Sequence, residues 1–335
     1  MSRLAIIYES IYPNQRQSIR LRPTPEPLPG QVQVKIHATA VNPIFDYGKF
    51  VTTFPTVLGT DAAGEVMKIG SDVAHFRYNS QGDTSNGDKA TFQQYCLADA
   101  DIACKIPSAL DYDSASTIPV AAVTAAAALY DLCLGLTAPW VPGGEGLYQG
   151  RSLVVLARSS SVGSYAIQLA ALSGFRVVTT SSRGHTPYLQ SIGASVVVDR
   201  SSPALVADIE AAAGGDVEYL LDAISSPETL RAAIEIVKPG GRIARVLRTE
   251  ESTETAARKK GVQMRFAHGS SHTYPDFNKA FWKAMESYLE RGVIKPNRAK
   301  VLPGGLRAWE AAYELHRSGQ VSGEKIVLRP QETVD

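Results

Sequence analysis

Cysteine is scarce in this chain: Cys96, Cys104 and Cys133 are the only three in 335 residues, with no CxxC pair and no even framework. That argues against a disulfide scaffold and a cysteine-rich zinc lobe, and for a reducing compartment. Net charge is also nearly lacking, +1 from 34 Lys+Arg against 33 Asp+Glu. No general attraction to nucleic acid or an anionic membrane follows, and small-molecule chemistry is the starting expectation. The first residues, MSRLAIIYES, lack the apolar core and small-residue cleavage site of a secretory signal and run directly into a strand-like pattern. A cytoplasmic protein whose mature form starts there is expected. Only Ile118 to Leu136 approaches membrane-spanning length, and it is largely alanine, interrupted by Thr124, Tyr130 and Asp131. A buried soluble helix is predicted.

At 44% hydrophobic content the length allows two compact domains with separate cores. Residues 1–117 carry short alternating runs, Gln31 to Ala38 (QVQVKIHA) being the clearest, bounded by turns such as Pro23 to Gly30. They predict a mostly antiparallel β-domain. From Leu153 the rhythm changes. Strand-like runs begin near Leu153, Arg176, Ser195, Val217 and Arg242, separated by helical patterns, with a sixth around Gln263 to Ala267. Alternation of this kind implies a parallel sheet with helices on both faces. Ala166, Leu169, Ala170 and Ser173 form the stripe by which the first of these helices packs on the sheet, and Gly174 ends it. Two helices, about Phe277 to Arg291 and Leu306 to Ser318, and a strand at Lys325 to Leu328 are expected to return to the N-terminal domain. The polar stretch Tyr78 to Lys89 (YNSQGDTSNGDK) predicts a flexible loop.

In a dinucleotide fold the first strand turns sharply into a helix whose N–H groups face a pyrophosphate. Here the turn is Ala157 to Gly163 (ARSSSVG). Ser159, Ser160 and Ser161 let the backbone come close, Val162 is counted with them as cofactor-binding, and Gly163 permits tight packing of helix on strand. The turn has fewer glycines than usual, and Arg158 stands where a small residue is typical, facing either solvent or the phosphates. A site for NAD normally carries Asp or Glu near the end of the second strand, for the ribose 2′-hydroxyl. This chain has Thr180, Ser181, Ser182, Arg183, Gly184 and His185 there. Hydroxyls and a guanidinium favour a 2′-phosphate, so Ser181, Ser182, Arg183 and His185 point to NADPH.

These residues, with VNPIFDYGKF, FPTVLGTDAAGEV, SASTIPVAAVTAAAALYDLCLGL and YLLDAISSPETLRAAIEIVKPGGRI, resemble the medium-chain dehydrogenase/reductase superfamily over nearly the whole chain. More closely, the chain is similar to fungal enoyl reductases that act in trans with polyketide synthases, with quinone oxidoreductases as near relatives. The resemblance implies a discontinuous GroES-like catalytic domain at 1–120 and 268–335 and a Rossmann domain for NADPH at 121–267. Relatives include monomers and homodimers. The zinc-dependent branch carries Gly-His-Glu where this chain has Gly59, Thr60 and Asp61, so a zinc-independent member is expected. His268 and His272 stand four apart in HGSSH, but the intervening Gly and Ser predict a loop rather than a metal-binding helix.

Without zinc, a conjugated enone or enoyl thioester is the suited electrophile, reduced by hydride transfer to its β-carbon. Asn42 and Tyr47 match the Asn and Tyr that face the nicotinamide in quinone oxidoreductases. Asn42 would then position ribose or substrate, and Tyr47 would donate a proton or an enolate hydrogen bond. Many trans-acting enoyl reductases have Asn-Pro-x-Asp-x-Lys here; ungapped alignment puts Phe45 and Tyr47 at the Asp and Lys, and a shifted register would bring in Asp46 and Lys49. Thr124 lies in the helix that resembles the family's nicotinamide-facing one, where its hydroxyl would meet the carboxamide. The family's longer segment with a Gly-Asp-Arg-Val turn and strand is replaced between Phe76 and Phe92, so a strand is expected to be lost or reshaped. The expected function is reduction, with NADPH, of an activated C=C bond in a polyketide-type acyl chain, free or delivered by a carrier domain of a synthase partner. The alternatives are a quinone or enone oxidoreductase, and a non-redox cyclase, isomerase or binding partner that keeps the fold.

Overall fold

A computed structural model describes residues 2–11, 16–43, 51–71, 77–130 and 133–334. The chain divides into two compact units: Met1–Val120 with Ser271–Glu290 and Pro296–Asp335, and Ala121–Ser270 with Arg291–Lys295. The second crossing therefore falls at Ser271, and the short run Arg291–Lys295 sits with the second unit.

The first unit opens with an antiparallel pair, β1 (Ser2–Ser10) and β2 (Arg16–Pro23), in the register Leu4↔Leu21. Strands β3 (Gln31–Ala40), β4 (Asp61–Ile69), β5 (Arg77–Gln81), β6 (Tyr95–Asp99) and β7 (Ala103–Lys105) follow. The alternation in β3 does what period-two patterning requires: Val32, Val34, Ile36, Ala38 and Ala40 are buried. Val32, Val34 and Ile36 share a cluster with Ala62, Val66, Tyr78 and Cys96.

The polar run from Tyr78 to Lys89 is not a loop throughout: only residues 82–89 are turns and irregular backbone. Its first residues belong to β5, paired with β4 from Gly64↔Tyr78 to Asp61↔Gln81 and with β7 on its other side. Asn79 and Ser80 are buried because their polar atoms are served internally: Asn79 Nδ2 donates to Ala115 O at 3.0 Å and Ser80 Oγ to Ile102 O at 2.6 Å. Beyond it, Asp83 Oδ1 accepts from Ser85 N and Oγ, and Asp88 pairs with Arg3 and Arg22. Of the two outcomes expected for this segment, a strand lost or reshaped, loss is excluded. Local composition misleads here because the satisfying partners come from distant residues.

Among the described residues the second unit holds six strands: β8 (Ser152–Leu156), β9 (Arg176–Ser181), β10 (Val196–Asp199), β11 (Val217–Asp222), β12 (Val237–Arg245) and β13 (Gln263–Phe266). All pair in parallel, in the order β10-β9-β8-β11-β12-β13. That order is the doubly wound one, with its reversal between β8 and β11. Val154, Leu156, Val178, Leu220 and Ile243 anchor its core. The predicted stripe Ala166, Leu169, Ala170 and Ser173 is buried, and Gly174 leaves the helix at φ 96°. The alanine-rich helix spans Pro119–Leu129 and is buried throughout its second-unit part, Ala121–Leu129. No helix among the described residues is long and apolar enough to cross a membrane.

The chain returns to the first unit through a helix at Pro275–Glu290, then β14 (Ala299–Val301) and β15 (Lys325–Leu328). Between these strands the expected helix starts as a 3-10 turn, Gly305–Ala308, and continues as Trp309–Arg317. β15 closes on β3 in antiparallel register, Val327↔Ala40 and Leu328↔Thr39.

Candidate functional site

In the second unit, β8 ends one residue before a strained turn. Arg158 and Ser159 both lie in the left-handed region, at φ 44° and 58°, where side chains are disfavoured and glycine is the ordinary choice. The turn is pinned on both sides: Arg158 N donates to Thr180 O at 3.0 Å and Ser160 N to Ala157 O at 2.8 Å. Ser160 caps the helix Ser161–Leu172, its Oγ accepting from Gly163 N at 3.2 Å. A Cβ on Gly163 would stand 2.5 Å from that of Ala157, so this approach requires glycine. The N–H groups of Ser161 and Val162, too early in the helix to have an intrahelical acceptor, have no partner among the described residues. Two free donors at the positive end of a helix can take a pyrophosphate.

At the end of β9, Ser181 is 1% exposed and its Oγ has no partner among the described residues, the mark of a hydroxyl placed for a ligand or water. Ser182 and His185 are half-buried, and the Arg183 side chain is 89% exposed. Arg183 Nε donates to Asp199 Oδ2 at 2.8 Å. Asp199 went unnoticed in sequence because it reaches this place only through the β9–β10 register, Ser181↔Asp199. The Oγ–H and N–H of Ser201, and then Arg183, hold its carboxyl down to about 2. Arg158 is exposed, and its charge is felt by Asp222 at the end of β11 and by Glu228. Burial raises the Asp222 carboxyl above its ordinary value, against that cation. Thr124 packs on Gly269, where an added Cβ would lie 2.1 Å from Thr124 Oγ1.

The first unit holds a polar centre of its own. Lys325 Nζ donates to Asp61 Oδ2 at 2.7 Å, Asn42 Nδ2 donates to the same oxygen at 2.7 Å, and Val120 N donates to Oδ1 at 2.7 Å. Asn42 Nδ2 also donates to Thr60 Oγ1 at 3.1 Å. The carboxylate thus has three donors, the satisfaction a buried charge demands. Gly59 turns the chain into this centre at φ 99°, against the Phe92 ring and Thr91.

Of the residues expected to act, Asn42 is therefore in a polar network, but its two amide hydrogens are committed to Thr60 and Asp61. Tyr47 and Lys49, with Phe45 and Asp46, lie outside the described residues. Lys325 was missed altogether. Its only sequence signal is a lysine in KIVL, a strand whose four residues are all buried. His268 lies in irregular backbone and His272 in a turn, as the intervening Gly and Ser predict. Among the described residues no group of three or more His, Cys, Asp and Glu is placed to hold a metal ion.

Comparison with known proteins adds to this geometry. Residues 28–108 match the alcohol dehydrogenase GroES-like domain and residues 161–281 the family described as zinc-binding dehydrogenase. A trans-enoyl reductase of Aspergillus japonicus, himH, is 32% identical over 314 residues, covering 89% of each chain. An alcohol dehydrogenase superfamily protein from Novosphingobium aromaticivorans superposes with a TM-score of 0.80 at 23% identity, over 99% of this chain and 100% of that one. The quinone oxidoreductase from Coxiella burnetii gives 0.74 at 21%, over 98% and 99%. These two structures bear on the fold alone.

Proposed function

The chain belongs to the medium-chain dehydrogenase/reductase superfamily, and from that premise we propose that it is an NADPH-dependent enoyl reductase acting in trans on a polyketide-type α,β-unsaturated acyl chain. The observation that carries the cofactor part is the pair of N–H groups of Ser161 and Val162, without partners among the described residues, at the head of the helix that follows the turn Ala157 to Ser160. Those groups would bind the pyrophosphate. Ser181 Oγ, with Ser182 and His185, would meet the adenosine ribose. The Arg183 side chain spends its Nε on Asp199 and has no other partner among the described residues, so its terminal nitrogens are free for a 2′-phosphate. Thr124 is assigned to the nicotinamide carboxamide.

When bound, the reduced cofactor supplies a hydride from nicotinamide C4 to the substrate β-carbon. The protein's part is to orient the conjugated carbonyl and to deliver a proton to the α-carbon. Tyr47, or Lys49 in the shifted register, is assigned the proton. Thr60 replaces the imidazole of the zinc branch, and a hydroxyl is a poor zinc ligand beside imidazole and thiolate, which supports reduction without zinc. Similarity to a protein named trans-enoyl reductase over 89% of both chains supports a carrier-bound acyl substrate and a polyketide synthase partner.

Following NADPH consumption on an enoyl pantetheine thioester and on a small quinone tests the proposal. Turnover of the thioester is expected. Rapid quinone turnover with no thioester reduction would replace it with a quinone oxidoreductase.

A further inference from the structure

The centre around Asp61 settles which hydrogen points where. Asp61 is fully buried and paired with Lys325, so its oxygens accept and do not donate. The Asn42 atom 2.7 Å from Asp61 Oδ2 must then be the amide nitrogen, and its second hydrogen falls on Thr60 Oγ1 at 3.1 Å. Both hydrogens of the amide are spent, and the polar atom left on Asn42 is an acceptor. Thr60 Oγ1 is occupied as an acceptor, and its own O–H has no acceptor among the described residues. The residue keeps 9% exposure, and its backbone is held by Gly82 N donating to Thr60 O at 2.8 Å. The result is a fixed hydroxyl with one unspent donor.

We propose, resting on the enoyl reductase function above, that Thr60 is a catalytic residue whose hydroxyl donates to the carbonyl oxygen of the conjugated thioester. As hydride adds to the β-carbon, the C=C π pair becomes a double bond between the α-carbon and the carbonyl carbon, and the carbonyl π pair moves onto oxygen. Thr60 Oγ–H strengthens its hydrogen bond to that oxygen as charge develops, without giving up the proton. Protonation at the α-carbon returns the electrons and restores the carbonyl. Asn42, Asp61 and Lys325 are positioning residues in this scheme: the ion pair fixes Asp61, Asp61 fixes Asn42, and Asn42 fixes the direction of the Thr60 hydroxyl.

The test is the infrared carbonyl band of crotonyl pantetheine bound to the cofactor-free protein, with wild type, Thr60→Val and Thr60→Ser. A band moved to lower frequency is expected in wild type and in Thr60→Ser, and a return to the free-ligand frequency in Thr60→Val. With NADPH added, kcat for Thr60→Val is expected to fall by roughly 10²-fold, the loss typical of one such donor, with the affinity for NADPH unchanged. An unshifted band in wild type overturns the assignment without recourse to any variant. So does a Thr60→Val protein that keeps both the shift and the rate. A wild type that binds NADPH but no thioester overturns the enoyl reductase function itself, and the role of Thr60 with it.

Discussion

Lys325 Nζ lies 2.7 Å from Asp61 Oδ2, an ion pair with side chains 2% and 0% exposed that joins residues 264 apart in sequence. Removing one member leaves the other charge buried without a counterion. Lys325→Met is expected to lower stability by ~3–5 kcal/mol, read from urea midpoints. The double variant Lys325→Met/Asp61→Leu should recover part of that loss, because no charge is then stranded. A single substitution that costs nothing measurable would show that the pair does not hold this centre together.

Arg183 sets the second prediction. Its contact with a 2′-phosphate would be a hydrogen bond to a charged group, worth ~1.5–3 kcal/mol. Arg183→Ala should therefore weaken NADPH roughly 10- to 100-fold and leave NADH nearly unchanged. Fluorescence titration with both cofactors checks this, and an unaltered ratio would place the 2′-phosphate elsewhere.

Arg158 combines strain with charge. At φ 44° it occupies a conformation that suits glycine, so Arg158→Gly is expected to stabilise the fold by about 1 kcal/mol, seen as a raised melting temperature. If the cation lies over the phosphates, the same variant should weaken NADPH and NADH by equal factors. A loss confined to NADPH would assign Arg158 to the 2′-phosphate instead.

Acid should destabilise the protein below neutrality. Burial, as the largest cause, holds His268, His272 and His316 below their ordinary value of 6.5. The unfolded chain therefore takes up protons first as pH falls through 6.5, and stability drops in that window. His272 keeps this direction although Asp83 and Asp99 oppose it. Urea midpoints at pH 7.5 and pH 5.5 should show the loss, and His272→Gln should shallow it. Asp199 acts lower: its carboxyl is held down to about 2, so its contribution is present above the ordinary 3.8 and is lost as pH falls from there through about 2.

How much of this was legible in the sequence depended on how local the cause is. The six strands from Ser152 to Phe266 could be read because apolar runs at βα spacing report their own burial. The turn Ala157–Gly163 could be read because a close helix–strand approach admits few residue types. Asn79 and Ser80 misled because their acceptors, Ala115 O and Ile102 O, lie outside the segment that looks polar. Asp199 and Lys325 were missed for the same reason: each finds its role through a neighbouring strand, and neither Ser181↔Asp199 nor the Lys325–Asp61 pair has a local pattern. The hydroxyl of Thr60 becomes informative only when both hydrogens of Asn42 are accounted for.

The reaction proposed is reduction of a conjugated C=C bond by hydride delivered to the β-carbon. Its most direct measurement uses NADPH deuterated at C4, with either face labelled, and an enoyl pantetheine thioester, followed by mass spectrometry and NMR of the product. One deuterium at the β-carbon of a saturated thioester, delivered by one of the two labelled forms and not the other, is the predicted result. Deuterium at a carbonyl-derived carbon, or an unreduced substrate beside a protein that binds NADPH, would contradict it.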